Sequence, residues 1–118
     1  MISLQEITQF VIDNAEKSRG SIEFIQSRIK KHIAFGTYTI GDDEKGITHV
    51  CIWNIEGVTA QAIDCIVRKD LRNRGMIKKI VIMGLIKFPY VRNISWERVF
   101  KYPRRKFRFY TVKQLLGE

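Results

Sequence analysis

An apolar run that ends in a basic, glycine-containing loop and reopens as a second apolar run constrains this chain more than any other stretch. Ile63-Asp64-Cys65-Ile66-Val67 has the β-branched content of a strand. Arg68-Lys69-Asp70-Leu71-Arg72-Asn73-Arg74-Gly75 follows, and Met76 to Phe88 is apolar on most sides and stops before Pro89. A strand that opens through such a loop into a helix gathers unpaired backbone N–H groups, the positive end of a helix dipole and several cations in one place. The stretch therefore predicts a strand, a turn and a sheet-packed helix, with a seat for phosphate at the joint.

The flanking sequence sets the elements around it. Ser3 followed by Glu6 is a capping-box pattern, and Leu4, Ile7, Phe10, Val11 and Ile12 recur at near-helical spacing, so residues 4–17 are predicted as an amphipathic helix. Ser21 is expected to cap a second helix carrying Ile22, Ile25, Ile29 and Ile33 on one face, with Gly36 as its stop. The period then changes to two. Strands are expected over 36–40, 47–55 and 61–68, with turns over 41–46 and 56–60, and two more strands over 91–98 and 107–111, followed by a short tail at 112–116. The predicted order is α-α-β-β-β-α-β-β, an α+β fold in a single domain spanning residues 1–118, as expected of a 118-residue chain.

Charge separates the two halves. Residues 1–67 carry six Lys and Arg against nine Asp and Glu, residues 68–118 fifteen against three, so a net −3 is followed by a net +12. Two clusters supply most of the excess: Arg68, Lys69, Arg72, Arg74, Lys78 and Lys79, then Arg98, Lys101, Arg104, Arg105, Lys106 and Arg108. Together they point to a polyanionic ligand or partner. No apolar run approaches the ~20 residues that span a bilayer. The N-terminus lacks the basic and apolar regions of a signal peptide, so a cytoplasmic location is expected, with Cys51 and Cys65 as reduced thiols.

A symmetric turn over 56–60 pairs Cys51 with Cys65, Trp53 with Ile63 and Asn54 with Ala62, and puts Asp64 on one face with Ile52, Ala62 and Ile66. Two readings of that acid stand open: a solvated or hydrogen-bonded polar residue, or a carboxylate lining a cleft as a general base. The cysteines lack the CxxC spacing that tunes thiolate chemistry. His32 and His49 sit in no metal-ligand spacing, and neither Ser21 nor Ser95 has a His–Asp context, so no metal site and no serine nucleophile are expected.

Element order and the 63–79 residues together resemble the GNAT acyltransferase superfamily, whose signature is a valine-containing strand, a short loop and R/Q-x-x-G-x-G/A at a helix start. Val67, Arg72 and Gly75 match it, and Ile77 stands where the second small residue belongs. The resemblance covers most of residues 4–110 and implies a GNAT-like, mostly antiparallel mixed sheet with acetyl-CoA as cosubstrate. By it, Ile66 and Val67 pair with the pantetheine arm, the backbone from Arg74 through Met76 and Ile77 to Lys78 receives the diphosphate, and Arg72, Arg74 and Lys78 add charge-assisted bonds. Asp64 or an ordered water takes the proton of an attacking amine, and Tyr102 donates to the leaving thiolate. The chain departs from the family in lacking an opening strand. It also lacks the tyrosine-bearing helix, since residues 97–107 contain Pro103 and four nearby cations.

A rival reading keeps the scaffold without the chemistry. Phe100, Tyr102, Phe107, Phe109 and Tyr110 interleave with the second basic cluster, a pattern suited to a nucleic acid or a nucleoprotein. Phe107 and Phe109 also alternate as one core face of a strand would. Small solitary chains of this kind resemble accessory proteins of phages and mobile elements, which adds a host protein as a candidate partner.

Overall fold

A computed structural model describes residues 2–14, 22–72, 74–99 and 105–117 of the chain. Helix α1 (Leu4–Asn14) opens on the expected capping box, with Glu6 N–H donating to Ser3 Oγ at 3.1 Å and Ser3 N–H to Glu6 Oε1 at 3.3 Å. Residues 15–17 of the predicted helix, and the cap at Ser21, lie outside the described residues. Helix α2 (Ile22–Phe35) ends at Gly36, whose φ of 71° is the left-handed turn a helix stop requires.

Strands β1 (Tyr38–Asp43), β2 (Gly46–Glu56) and β3 (Thr59–Val67) form an antiparallel meander. Its first turn is tighter than expected. The strands run on through Gly41 to Asp43 and resume at Gly46, leaving Glu44 and Lys45 as the turn, with Lys45 N–H donating to Asp43 Oδ1 at 2.9 Å. Gly41 serves the strand because the His49 ring lies over it: a Cβ there would stand 2.4 Å from His49 Cε1. Strand β3 is followed by one 3-10 turn (Lys69–Leu71) and helix α3 (Met76–Lys87), which carries the chain back to strand β4 (Asn93–Val99). β4 therefore lies parallel to β3. Strand β5 (Arg105–Thr111) closes the order β1-β2-β3-β4-β5.

The tail at 112–116 is instead a helix, α4 (Val112–Leu116), capped by Thr111, whose Oγ1 accepts from Gln114 N–H at 3.1 Å while Gln114 Oε1 accepts from Thr111 N–H at 3.0 Å. Thr111 and Gln114 are the same Thr-x-x-Gln signal read at the other end of the chain as Ser3 and Glu6.

The second hairpin corrects the predicted register. Cys51 does pair with Cys65, but Trp53 pairs with Ala62 and Asn54 with Gln61, because Ile63 is the extra residue of a β-bulge. Beyond the bulge the faces change. Ile52 and Ile66 pack with Ile7, Phe10, Val11 and Ile29 under α1 and α2, whereas Ala62 joins Cys51, Trp53, Ile80, Val81 and Ile94 under α3. Asp64 therefore shares its face with Ile52 and Ile66 but not with Ala62.

Candidate functional site: the gap between β3 and β4

β3 pairs with β4 only from Thr59 to Ala62, opposite Asn93 to Trp96. From Ile63 onward β3 is paired on its β2 side alone, so the two parallel strands part at the bulge and leave a strand edge facing a gap. Below α3 the gap becomes a cavity of about 170 Å³. Cys51 and Trp53 of β2 and Ala62, Ile63 and Cys65 of β3 form its floor. Ile77, Ile80 and Val81 of α3 cover it, and Ile94 and Trp96 of β4 stand opposite. Trp96 is stacked on Tyr110 of β5, with ring centroids 4.9 Å apart and planes at 18°. The pairing of Ile94 with Tyr110 and Trp96 with Arg108 brings those two rings together diagonally.

The loop that reads as a phosphate seat sits at one end of this gap and is braced from below. Arg68 forms a two-bonded pair with Asp43, at 2.8 and 2.9 Å, and also reaches Asp70 at 2.7 Å. The guanidinium holds the Asp43 carboxyl down to about 2, chiefly by these hydrogen bonds, and lowers Asp70 likewise. Arg72 turns inward as well, donating from Nε to the Val67 carbonyl at 3.2 Å and from Nη2 to the Asn14 carbonyl. Asn14 in turn accepts from Lys69 N–H at 3.2 Å through its side chain. Two of the six cations of the first cluster thus shape the loop, and Lys69, Arg74, Lys78 and Lys79 are exposed around it.

Gly75 is the N-cap of α3, with φ 72° and ψ 30°, and no side chain caps the helix. The N–H groups of the first turn, at Met76, Ile77 and Lys78, belong to a helix end that no side chain among the described residues caps, and no described heavy atom beyond the neighbouring residues stands within 4 Å of where a Gly75 Cβ would be. Met76 is buried beneath the helix, while Ile77 is 47% exposed and lines the cavity, at its mouth. Ile66 is buried in the α1–α2 core, and Val67 packs on the α3 side.

Of the two predicted catalytic residues, the structure describes Asp64. Asp64 is 6% exposed on the α1–α2 face, and Arg28 of α2 donates to its Oδ2 at 2.8 Å. Arg28 in turn lies over the Phe24 ring at 4.6 Å. The neighbours Ile63 and Cys65 line the cavity, and Asp64 does not. Tyr102 lies outside the described residues. The sequence places Tyr110 only among the aromatics of the second basic cluster, and the structure stacks it against the cavity wall; the signal was its position two residues along β5 from Arg108, the partner of Trp96.

His49 is buried at 1% exposure on the α3 side of β2, next to Cys51 on the same face. Its Nδ1 meets Thr48 Oγ1 at 3.2 Å, its Nε2 has no hydrogen-bond partner among the described residues, and burial pushes its pKa down to about 4. Among the described residues no cluster of three or more His, Cys, Asp or Glu is placed to hold a metal, and no helix is long and apolar enough to cross a membrane.

No protein-family model matches the sequence, and comparison with curated proteins finds no match. Among solved structures the chain is similar to the GphF GNAT-like decarboxylase in complex with isobutyryl-CoA, with a TM-score of 0.57 at 14% identity. The likeness covers 86% of this chain and 64% of that one, so the chain spans under two thirds of the length of the structure it matches. The fold is GNAT-like: a mixed sheet opened between two parallel central strands, with a helix crossing over between them.

Proposed function

We propose that this GNAT-like chain binds an acyl-CoA thioester in the gap between β3 and β4 and transfers the acyl group to an amine. The observation that carries the proposal is the coincidence of three features at one place. These are a β3 edge that has no β4 partner strand from Ile63 onward, an α3 N-terminus at Gly75 with no side-chain cap among the described residues and with Arg74 and Lys78 exposed beside it, and an apolar cavity between them. A pantetheine arm adds to the β3 edge as a strand would, and the diphosphate takes the first-turn N–H groups of Met76, Ile77 and Lys78. The isobutyryl-CoA of the similar structure supports a thioester ligand, acetyl-CoA being the simplest.

In this reading the Ile63 bulge turns backbone N–H toward the thioester carbonyl, polarising it for the amine. Arg72 acts as a positioning residue, since its guanidinium ties the loop to Asn14 and Val67, and Arg74 and Lys78 meet phosphate. Asp64 is assigned a positioning role too. Its ion pair with Arg28 fixes the strand just past the bulge, and a water at the gap takes the amine proton. Tyr102, by family resemblance, and Tyr110, by its stack on Trp96 of the cavity wall, are the two candidates for protonating the thiolate.

Calorimetry with CoA and acetyl-CoA tests the reading. Binding that weakens at least tenfold in Gly75→Glu, where a carboxylate meets the diphosphate, is expected. The absence of binding at millimolar ligand overturns it.

A second reading has one specific observation behind it. The β4–β5 register sets Arg98 opposite Lys106, a like-charged pair of positions across one hairpin. Such pairs are destabilising unless a polyanion neutralises them. Binding of single-stranded DNA or RNA that falls steeply between low and physiological salt supports a nucleic-acid partner, and a salt-insensitive signal counts against it.

A further inference from the structure

The cavity reaches further than a strand-paired arm requires. Ile63 and Cys65 belong to the edge of the gap, yet Cys51 and Trp53, which form the inner wall, lie one strand further in on β2 and are no more than 1% exposed. The space therefore continues from the β3 edge beneath α3, between the helix and the closed part of the sheet. Its volume is about 170 Å³. A buried apolar cavity of about 150 Å³ stays dry and accepts a benzene-sized guest, so this recess holds far more than a methyl group.

Its chemistry is equally restrictive. Among the described residues no ionisable group other than the two thiols lines it. The polar atom of Trp53 is committed elsewhere, with Nε1 donating to Thr39 Oγ1 at 2.9 Å. A carboxylate placed in the recess would be desolvated with no cation among the described lining residues to meet it.

We infer that this recess selects the acyl group, taking an apolar acyl chain of about four to six carbons and rejecting acyl groups that end in a carboxylate. The inference rests on the thioester reading above, since the arm along β3 is what delivers the acyl group to the recess. Acetyl leaves most of the volume unfilled and forfeits its contacts. Each added methylene that enters the recess is expected to tighten binding about fourfold until the space is filled.

The test is a calorimetric series on the full chain with CoA, acetyl-CoA, butyryl-CoA, hexanoyl-CoA and succinyl-CoA. Butyryl-CoA is expected to bind on the order of tenfold tighter than acetyl-CoA, and succinyl-CoA more weakly than acetyl-CoA. Two outcomes overturn the acyl-selective recess while leaving the CoA seat standing: CoA binds but butyryl-CoA is no tighter than acetyl-CoA, or succinyl-CoA matches butyryl-CoA. If no member of the series binds, the thioester reading falls and this one with it. Location is tested by Val81→Phe, which fills the recess from α3, and by Cys65→Leu, which fills it from a half-buried strand position. In either variant that keeps a cooperative thermal transition, the butyryl-to-acetyl affinity ratio is expected to fall toward one. An unchanged ratio places the acyl group elsewhere.

Discussion

Single residues at the loop and on the first hairpin divide into those that hold backbone and those that leave room. Gly75 does both, since its φ of 72° excludes most side chains while the space before it is open. Gly75→Ala is therefore expected to destabilise by about 1 kcal/mol from backbone strain alone, read as a denaturant midpoint shift. Ile77 is the opposite case. Half exposed at the cavity mouth, it contributes little to the core, so Ile77→Ala is expected to change stability by less than about 0.5 kcal/mol. If the branched side chain narrows the mouth, the same substitution strengthens CoA binding, and an unchanged affinity shows that Ile77 does not obstruct the ligand. His49 supplies a pH dependence. Its folded pKa of about 4 lies below its ordinary 6.5, so the unfolded chain binds more protons between those values. Its contribution is complete above about pH 6.5 and is lost as the pH falls toward 4, at up to ~1.4 kcal/mol per pH unit. His32, also lowered by burial, adds in the same direction. His49→Gln is expected to flatten the slope of unfolding free energy against pH across that window, whatever it does to stability at pH 7.

At the level of elements, the fold was legible where hydrophobic period and capping chemistry agree. The Ser3 and Glu6 box, the stop at Gly36 and the helix from Met76 to Lys87 each declare themselves locally. Gly41 misled the turn assignment because a glycine beside two aspartates has the composition of a loop, and only the tertiary position of the His49 ring explains a strand glycine. The bulge at Ile63 was invisible for a similar reason. Nothing in Gln61-Ala62-Ile63-Asp64 marks which residue drops out of register, yet that residue decides which face each neighbour serves. The strand, turn and helix around Arg72 and Gly75 could thus be read from the sequence, whereas the side of the sheet on which Asp64 lies could not. The clamp that Asp64 makes with Arg28 gives a test at this scale, because it is what fastens α2 to the bulged part of β3. With the carboxylate buried and the guanidinium partly exposed, Asp64→Asn is expected to cost about 1–3 kcal/mol, less than a fully buried pair. An Arg28→Met, Asp64→Asn double variant is expected to recover part of that loss in a double-mutant cycle. A turnover change larger than the loss of folded protein would return Asp64 to the chemistry.

For the molecule as a whole, the divergence of β3 from β4 divides the packing. Helices α1 and α2 cover one face of the β1–β3 meander, and α3 and α4 hold the β4–β5 hairpin to the other face. Past the bulge no backbone bond joins β3 to β4, so side chains under α3 carry the connection there. A ligand seated in the gap adds to both sides at once, pairing with the β3 edge and filling the space below α3. Two measurements should then move together. A CoA thioester at one hundred times its dissociation constant is expected to raise the unfolding free energy by about 2.7 kcal/mol, seen as a higher melting temperature. Hydrogen exchange is expected to slow first at those amides between Ile63 and Val67 whose N–H groups face away from β2 and at the first turn of α3, where the proposed ligand supplies acceptors. Amides of α1, packed on the far face, are expected to slow only as far as global unfolding is suppressed. Slowing spread evenly over the chain would mean that the thioester stabilises from some other surface. Slowing confined to the β4–β5 hairpin would move the ligand to the like-charged strand pair and favour the polyanion reading.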